Sequence, residues 1–132
     1  MPAAPQGEHA MFEVSVTSHF SAAHHLDGYR GGCEAQHGHN WEVEVFVAGD
    51  SVDEIGMLVD FREVKEVLAA ELDKLDHRDL NTLEVFDGRN PTSERIAEFL
   101  FNGLSEKLNA EGRRVSKVSV QETPGAKASY QG

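Results

Sequence analysis

Cys33-Glu34-Ala35-Gln36-His37-Gly38-His39-Asn40-Trp41-Glu42-Val43-Glu44-Val45-Phe46-Val47 is the stretch on which the fold turns. Trp41, Val43, Val45 and Val47 alternate along it and share one face, the pattern of a half-buried strand. His37 and His39 have the same parity, so a strand running through them presents both imidazoles and the indole to one side. Two neutral imidazoles so placed can share one metal ion. A third histidine from an earlier segment, His24, completes a three-nitrogen set, with His19 and His25 as near neighbours in sequence. Three protein ligands and an open fourth position form the layout of a catalytic zinc rather than a structural one. An all-imidazole tetrahedral site suits zinc.

Outward from this stretch the pattern is regular. Met11 to Phe20 alternates, with Phe12, Val14 and Val16 on one face and Glu13, Ser15 and Thr17 on the other. Ser21 to Gln36 reads as loop, with Asp27-Gly28 and Gly31-Gly32 as turn signals. Ala48-Gly49-Asp50 ends the second strand. Asp60-Phe61-Arg62-Glu63 fits a helix capping box. Phe61, Val64, Val67, Leu68, Leu72 and Leu75 then give one apolar stripe. A second helix begins near Pro91-Thr92-Ser93-Glu94, capped by Thr92 or Ser93. Its stripe is Ile96, Leu100, Phe101, Leu104 and Leu108, and Asn109 to Gly112 ends it. Val115 to Thr123 reads as a third strand with Val118, Val120 and Glu122 on one face, and Ala128 to Tyr130 as a short fourth. Strands bracketing two helices predict an α+β domain with both helices on one face of an antiparallel sheet. Such a small sheet has open edges, and a barrel built from several subunits is one way to cover them.

The 132 residues suit one domain, read as 11–132 behind a disordered lead-in of residues 1–10. No apolar run approaches the ~20 residues that span a bilayer. The first residues lack the basic and apolar regions of a signal peptide. One cysteine excludes an internal disulfide framework and fits a reducing cytoplasm. The formal net charge of −11 argues against nucleic acid and against a membrane surface. A phosphorylated substrate would need a local basic pocket in an unfavourable overall field.

Four further residues carry chemistry. Cys33 has three readings: a fourth zinc ligand that closes the site, an inert buried thiol, or a thiolate base or nucleophile. Its flanks, Gly31-Gly32 and Glu34, favour the third. Asp76-His77 pairs a carboxylate with an imidazole it can orient and make more basic, or it is a helix-end pair favoured by the dipole. Glu122 ends the third strand on its apolar face, where a carboxylate is either at the rim or buried with a partner. A ligand edge with adjacent N–H donors would satisfy both its oxygens.

Together these motifs resemble the 6-pyruvoyltetrahydropterin synthase family, most closely its bacterial branch, the 6-carboxy-5,6,7,8-tetrahydropterin synthases of queuosine biosynthesis. The motifs are Phe20-Ser21-Ala22-Ala23-His24, Cys33-x-x-x-His37-Gly38-His39, Gly56-Met57-Leu58-Val59-Asp60-Phe61, Leu75-Asp76-His77-x-x-Leu80-Asn81, Asn90-Pro91-Thr92-Ser93-Glu94 and Glu122-Thr123. The resemblance as a whole runs from about Phe12 to Tyr130. The resemblance implies zinc on His24, His37 and His39, Cys33 as the proton-abstracting thiolate, Asp76 and His77 as a proton relay, and Glu122 as the anchor of the pterin 2-amino and N3 positions. It implies the tunnelling fold, in which sheets join into a barrel and trimers stack into a homo-hexamer with active sites at subunit interfaces. The reaction implied is lysis of 7,8-dihydroneopterin triphosphate to 6-carboxytetrahydropterin, acetaldehyde and triphosphate, in the cytoplasm.

Glu34 complicates this reading. The chain contains both Cys-x-x-x-His-Gly-His and Glu-x-x-His-Gly-His, and a related branch uses a glutamate here to make 6-hydroxymethyl-7,8-dihydropterin for folate synthesis. That product, or both products, is the alternative. A non-catalytic zinc-stabilised domain with Cys33 as fourth ligand is the third hypothesis. Arg30, Lys117 and Lys127 lie near the motifs in sequence and are the cations available for a triphosphate.

Overall fold

The computed structural model describes residues 11–28 and 35–132. Cys33, Glu34, Arg30 and the lead-in of residues 1–10 lie outside the described residues. Strands β1 (Phe12–His24) and β2 (His37–Gly49) pair antiparallel along their whole length. Helix α1 (Phe61–Leu72) follows, then a two-residue strand β3 (Arg78–Asp79), two short 3-10 turns, and helix α2 (Ser93–Leu108). Strands β4 (Arg114–Thr123) and β5 (Ala126–Gln131) close the chain. The sheet order is β3-β1-β2-β4-β5. The α+β class, the four antiparallel strands and the two helices are as expected. Strand β3, which pairs parallel with Ala22 and Ala23, was not foreseen; two residues carry no period to read.

The expected loop from Ser21 to Gln36 needs correction at its first end, while its last end agrees with the start of β2. β1 continues to His24 and β2 starts at His37, with His24 directly opposite His37. The continuation hides in small and polar residues. Ala22 and His24 are the inward positions there, 8% and 1% exposed, and neither is a strand former by composition.

One sheet face carries the core. Val16, Phe20, Trp41, Val43, Val45, Val118 and Val120 pack against Val64, Leu68 and Leu72 of α1 and Ile96, Leu100, Leu104 and Leu108 of α2. Both helices therefore lie on that face, as the amphipathic stripes require. Asp60 caps α1 through the Arg62 N–H. The capping box is only half made, because Glu63 turns to Arg113 instead of back to Asp60. Phe61, expected in the stripe, is exposed. It is the first residue of the helix, outside the turns that pack on the sheet. Thr92 caps α2 through Arg95 N–H.

The opposite face is polar. Ser15 donates to Glu44, Ser21 to Asn40 and Gln121 to Glu42, while Lys117 lies over the Phe46 ring at 4.4 Å. No helix of the described residues is long and apolar enough to cross a membrane.

β2 ends where Gly49 passes close to another segment. A Cβ there would collide with the Gly112 carbonyl oxygen and with the Leu58 side chain. The backbone contact cannot rotate away. Gly49→Ala is therefore expected to cost about 1–3 kcal/mol by overpacking, read by chemical denaturation. An unchanged midpoint would contradict the close approach.

Candidate metal centre

Pairing of β1 with β2 places His24 opposite His37 and Ala22 opposite His39. Since alternate residues share a face, all three imidazoles stand on the helix-facing side at one end of the sheet. Their ring centroids lie 4.6, 4.7 and 5.3 Å apart. Glu122, on the same face of β4, joins them. One donor atom from each of His24, His37, His39 and Glu122 falls within 4.8 Å of the others. Trp41 forms the floor, with its ring 4.9 Å from His24 and 5.1 Å from His39, and its indole N–H donates to the Ala22 carbonyl.

Which ring nitrogen is free follows from the hydrogen bonds. His24 Nδ1 lies 2.9 Å from the Pro91 carbonyl and His37 Nδ1 lies 2.8 Å from the Ala35 carbonyl. A carbonyl only accepts, so each Nδ1 carries the proton and each Nε2 keeps its lone pair. Such backbone partners fix the tautomer and aim of metal-binding imidazoles. His24 Nε2 and His39 Nε2 are buried without any hydrogen-bond partner. Buried nitrogens left unpartnered are costly, and a shared cation would satisfy both. Burial holds the His24 and His39 imidazoles below their ordinary value of 6.5, against the pull of the Glu122 carboxylate. Neutral imidazoles are the form that binds metal. The residues fit a first-row divalent ion with a nitrogen-rich shell.

Glu122 was expected as a ligand-edge anchor, not as a neighbour of the metal position. Its Oε2 lies 3.1 Å from His39 Nε2, and its Oε1 accepts from Ser93 Oγ at the start of α2. The signal was present in sequence: Glu122 has the parity of Val118 and Val120, which put it on the histidine face.

Asp76 and His77 do touch. His77 Nδ1 donates to Asp76 Oδ2 at 3.0 Å, and Asp76 Oδ1 accepts from the Ser21 N–H at 2.9 Å. The Ser21 bond, more than the imidazole, holds the Asp76 carboxyl below the usual carboxylate range. His77 has a left-handed backbone, φ 59°, and its N–H donates to the Ser21 carbonyl at 2.6 Å. The pair stands at the outer edge of β1 and is largely exposed at the imidazole. No hydrogen bond or ion pair among the described residues joins it to the histidine cluster. Lys117 and Lys127 share the polar face with Gln121 and Phe46, opposite Glu122, so one chain does not bring them to the metal position.

Two asparagines from the expected motifs were missed as scaffolding. Asn81 accepts from the His25 N–H and donates to the His25 carbonyl; Asn90 does the same to Asp27. Asn90 also precedes Pro91, whose carbonyl aims His24. The Asn-Pro pair reads only as a turn in sequence.

Two outcomes follow for the protein in solution. Trp41 is the only tryptophan and is fully buried beside two of the imidazoles. Cobalt(II) is therefore expected to quench its fluorescence at one equivalent, and His37→Ala to weaken that binding at least about tenfold. Unquenched emission at saturating cobalt would contradict the cluster. The second outcome concerns pH in the metal-free protein. Its unfolded chain binds more protons than the folded one once pH falls below the ordinary histidine value of 6.5. Stability is thus full above that value and lost as pH falls through the lowered folded values. Denaturation midpoints across this range should fall, and fall less in His39→Gln; parallel profiles would contradict the burial effect.

The sequence profile described as "PTPS: 6-pyruvoyl tetrahydropterin synthase" matches residues 13–132. The chain is 38% identical over 110 residues to a protein of Archaeoglobus fulgidus named putative 6-carboxy-5,6,7,8-tetrahydropterin synthase, covering 83% of this chain and 86% of that one. It is 34% identical over 134 residues to the 6-carboxy-5,6,7,8-tetrahydropterin synthase of Bacillus subtilis, covering 96% and 90%. The solved 6-pyruvoyl tetrahydropterin synthase of Caenorhabditis elegans superposes with a TM-score of 0.81 at 30% identity, over 93% of this chain and 96% of that one. With its profile match, its relatives and its fold in agreement, the chain belongs to the 6-pyruvoyl tetrahydropterin synthase family.

Proposed function

We propose that this chain is a zinc-dependent lyase of queuosine (7-deazaguanine) biosynthesis. With one water, it converts 7,8-dihydroneopterin triphosphate to 6-carboxy-5,6,7,8-tetrahydropterin, acetaldehyde and triphosphate. The observation that carries this reading is the convergence of three imidazoles whose outer nitrogens are fixed by backbone carbonyls or left without partners. The relatives named as 6-carboxytetrahydropterin synthases support the product.

His24, His37 and His39 hold the zinc. When bound, zinc supplies a Lewis acid that polarises the substrate side-chain oxygens and acidifies the adjacent C–H. Cys33, four residues before His37, takes that proton as a thiolate. Asp76 fixes the His77 ring through Nδ1, so that Nε2 faces outward to give and take protons. The left-handed backbone at His77 supports a functional role, because such conformations persist where surrounding contacts impose them. Glu122 accepts from the adjacent N–H donors of the pterin edge.

The location of the Asp76-His77 pair supports shared sites. It stands beside the edge strand β3 with its imidazole exposed, and no hydrogen bond or ion pair among the described residues ties it to the histidines of its own chain. A homo-hexamer of stacked trimers, with sheets joined edge to edge into a barrel, brings this pair to the metal centre of a neighbouring chain. The polar face, with its Glu42, Glu44 and Gln121, then lines the barrel interior.

The decisive experiment incubates zinc-loaded protein with 7,8-dihydroneopterin triphosphate and identifies products by mass spectrometry, with Cys33→Ala and Glu34→Ala in parallel. The expected result is 6-carboxytetrahydropterin and acetaldehyde, lost in Cys33→Ala by at least about a hundredfold and kept in Glu34→Ala. Dominant 6-hydroxymethyldihydropterin that requires Glu34 would assign the chain to folate synthesis instead. Light scattering should give six chains per particle; a fully active monomer would contradict the shared site.

A further inference from the structure

We propose that Glu122 is an exchangeable fourth metal ligand, bound to the ion in the resting enzyme and released to the pterin when substrate arrives. This rests on the lyase reading above for the identity of the incoming group. The first ground is geometric. Glu122 Oε2 and His39 Nε2 lie 3.1 Å apart, yet His39 Nε2 has no hydrogen-bond partner. With the His39 proton on Nδ1, both atoms are acceptors, and they repel unless something positive lies between them. A hydrogen bond would put the proton along the contact, and the geometry does not allow one. A tetrahedral ion with bonds of about 2.0 Å separates its ligands by about 3.3 Å. The observed spacing is that of two ligands of one ion.

The second ground is the difference between Glu122 and the histidines. His24 is 1% exposed and pinned by Pro91, and His37 is pinned by Ala35. Glu122 keeps 29% of its side chain exposed, and its other oxygen holds only the Ser93 hydroxyl at 3.2 Å. It can leave without disturbing the core. Gripping a pterin edge through adjacent N–H donors takes both oxygens. Ligation uses one of the same two. The carboxylate therefore serves one partner at a time, and pterin binding vacates a coordination position for the substrate's side-chain oxygens.

The test uses the full-length protein loaded with cobalt(II), in wild-type form and as Glu122→Gln, with neopterin as the probe. Cobalt d–d absorption reports the ligand set, and neopterin fluorescence reports binding. The expected result is a changed spectrum and at least about tenfold weaker cobalt binding in Glu122→Gln. Neopterin should shift the wild-type spectrum towards that of the variant without neopterin. The wild-type titration stands by itself if the variant misfolds. Matching spectra and affinities in the two proteins would overturn ligation by Glu122. Neopterin binding that leaves the wild-type spectrum unchanged would overturn the exchange. If neopterin binds neither protein, the pterin reading fails and the exchange with it, while the comparison of spectra still decides ligation.

Discussion

The register between β1 and β2 is the constraint on which the site depends. Thirteen consecutive pairs, from Phe12 with Gly49 to His24 with His37, lock the two strands together. Side chains alternate, so a slip of one residue would turn His24 to the polar face and leave His37 and His39 alone. The core opposes such a slip. Val16, Phe20, Trp41, Val43 and Val45 sit on the same face as the histidines, and moving them outward would expose a large apolar area. The metal centre is thus the polar end of a hydrophobic ladder. The energy that sets its geometry comes from valines and a tryptophan further along the same strands.

Much of this was legible in sequence, for identifiable reasons. The alternation from His37 to Val47 is strict, so the shared face of His37, His39 and Trp41 could be read directly. The two helices announce themselves by long stripes and by the caps Asp60 and Thr92. What escaped were features decided by tertiary contact. The last residues of β1 are Ala22, Ala23 and His24, whose strand character comes from pairing with β2 and, for the two alanines, with β3. The Pro91 carbonyl meets His24 across 67 residues, and no local pattern encodes that. The asparagine clamps on His25 and Asp27 are likewise long-range, reaching back from Asn81 and Asn90. Glu122 is the intermediate case: its face was readable, its distance from His39 was not.

The division of labour within one chain is also informative. The histidine cluster lies between β1, β2 and β4, under the helices. The Asp76-His77 pair lies outside β1, on a left-handed turn that follows α1. Backbone groups of one residue, Ser21, hold that pair at both ends, through its N–H to Asp76 and its carbonyl to the His77 N–H. The pair is thus rigidly seated at its backbone while its imidazole stays largely exposed. The chain carries a net charge of −11, and its Lys117 and Lys127 stand on the face opposite the metal position.

The central claim is an ion held by imidazoles with no sulfur in its shell, and X-ray absorption of the zinc-loaded protein at the metal edge tests it most directly. The account predicts a shell of nitrogen and oxygen at about 2.0–2.1 Å with the multiple-scattering signature of three imidazoles. A scatterer at about 2.3 Å would mean that Cys33 binds the zinc. The site would then be closed and structural, and the account of its chemistry would be wrong.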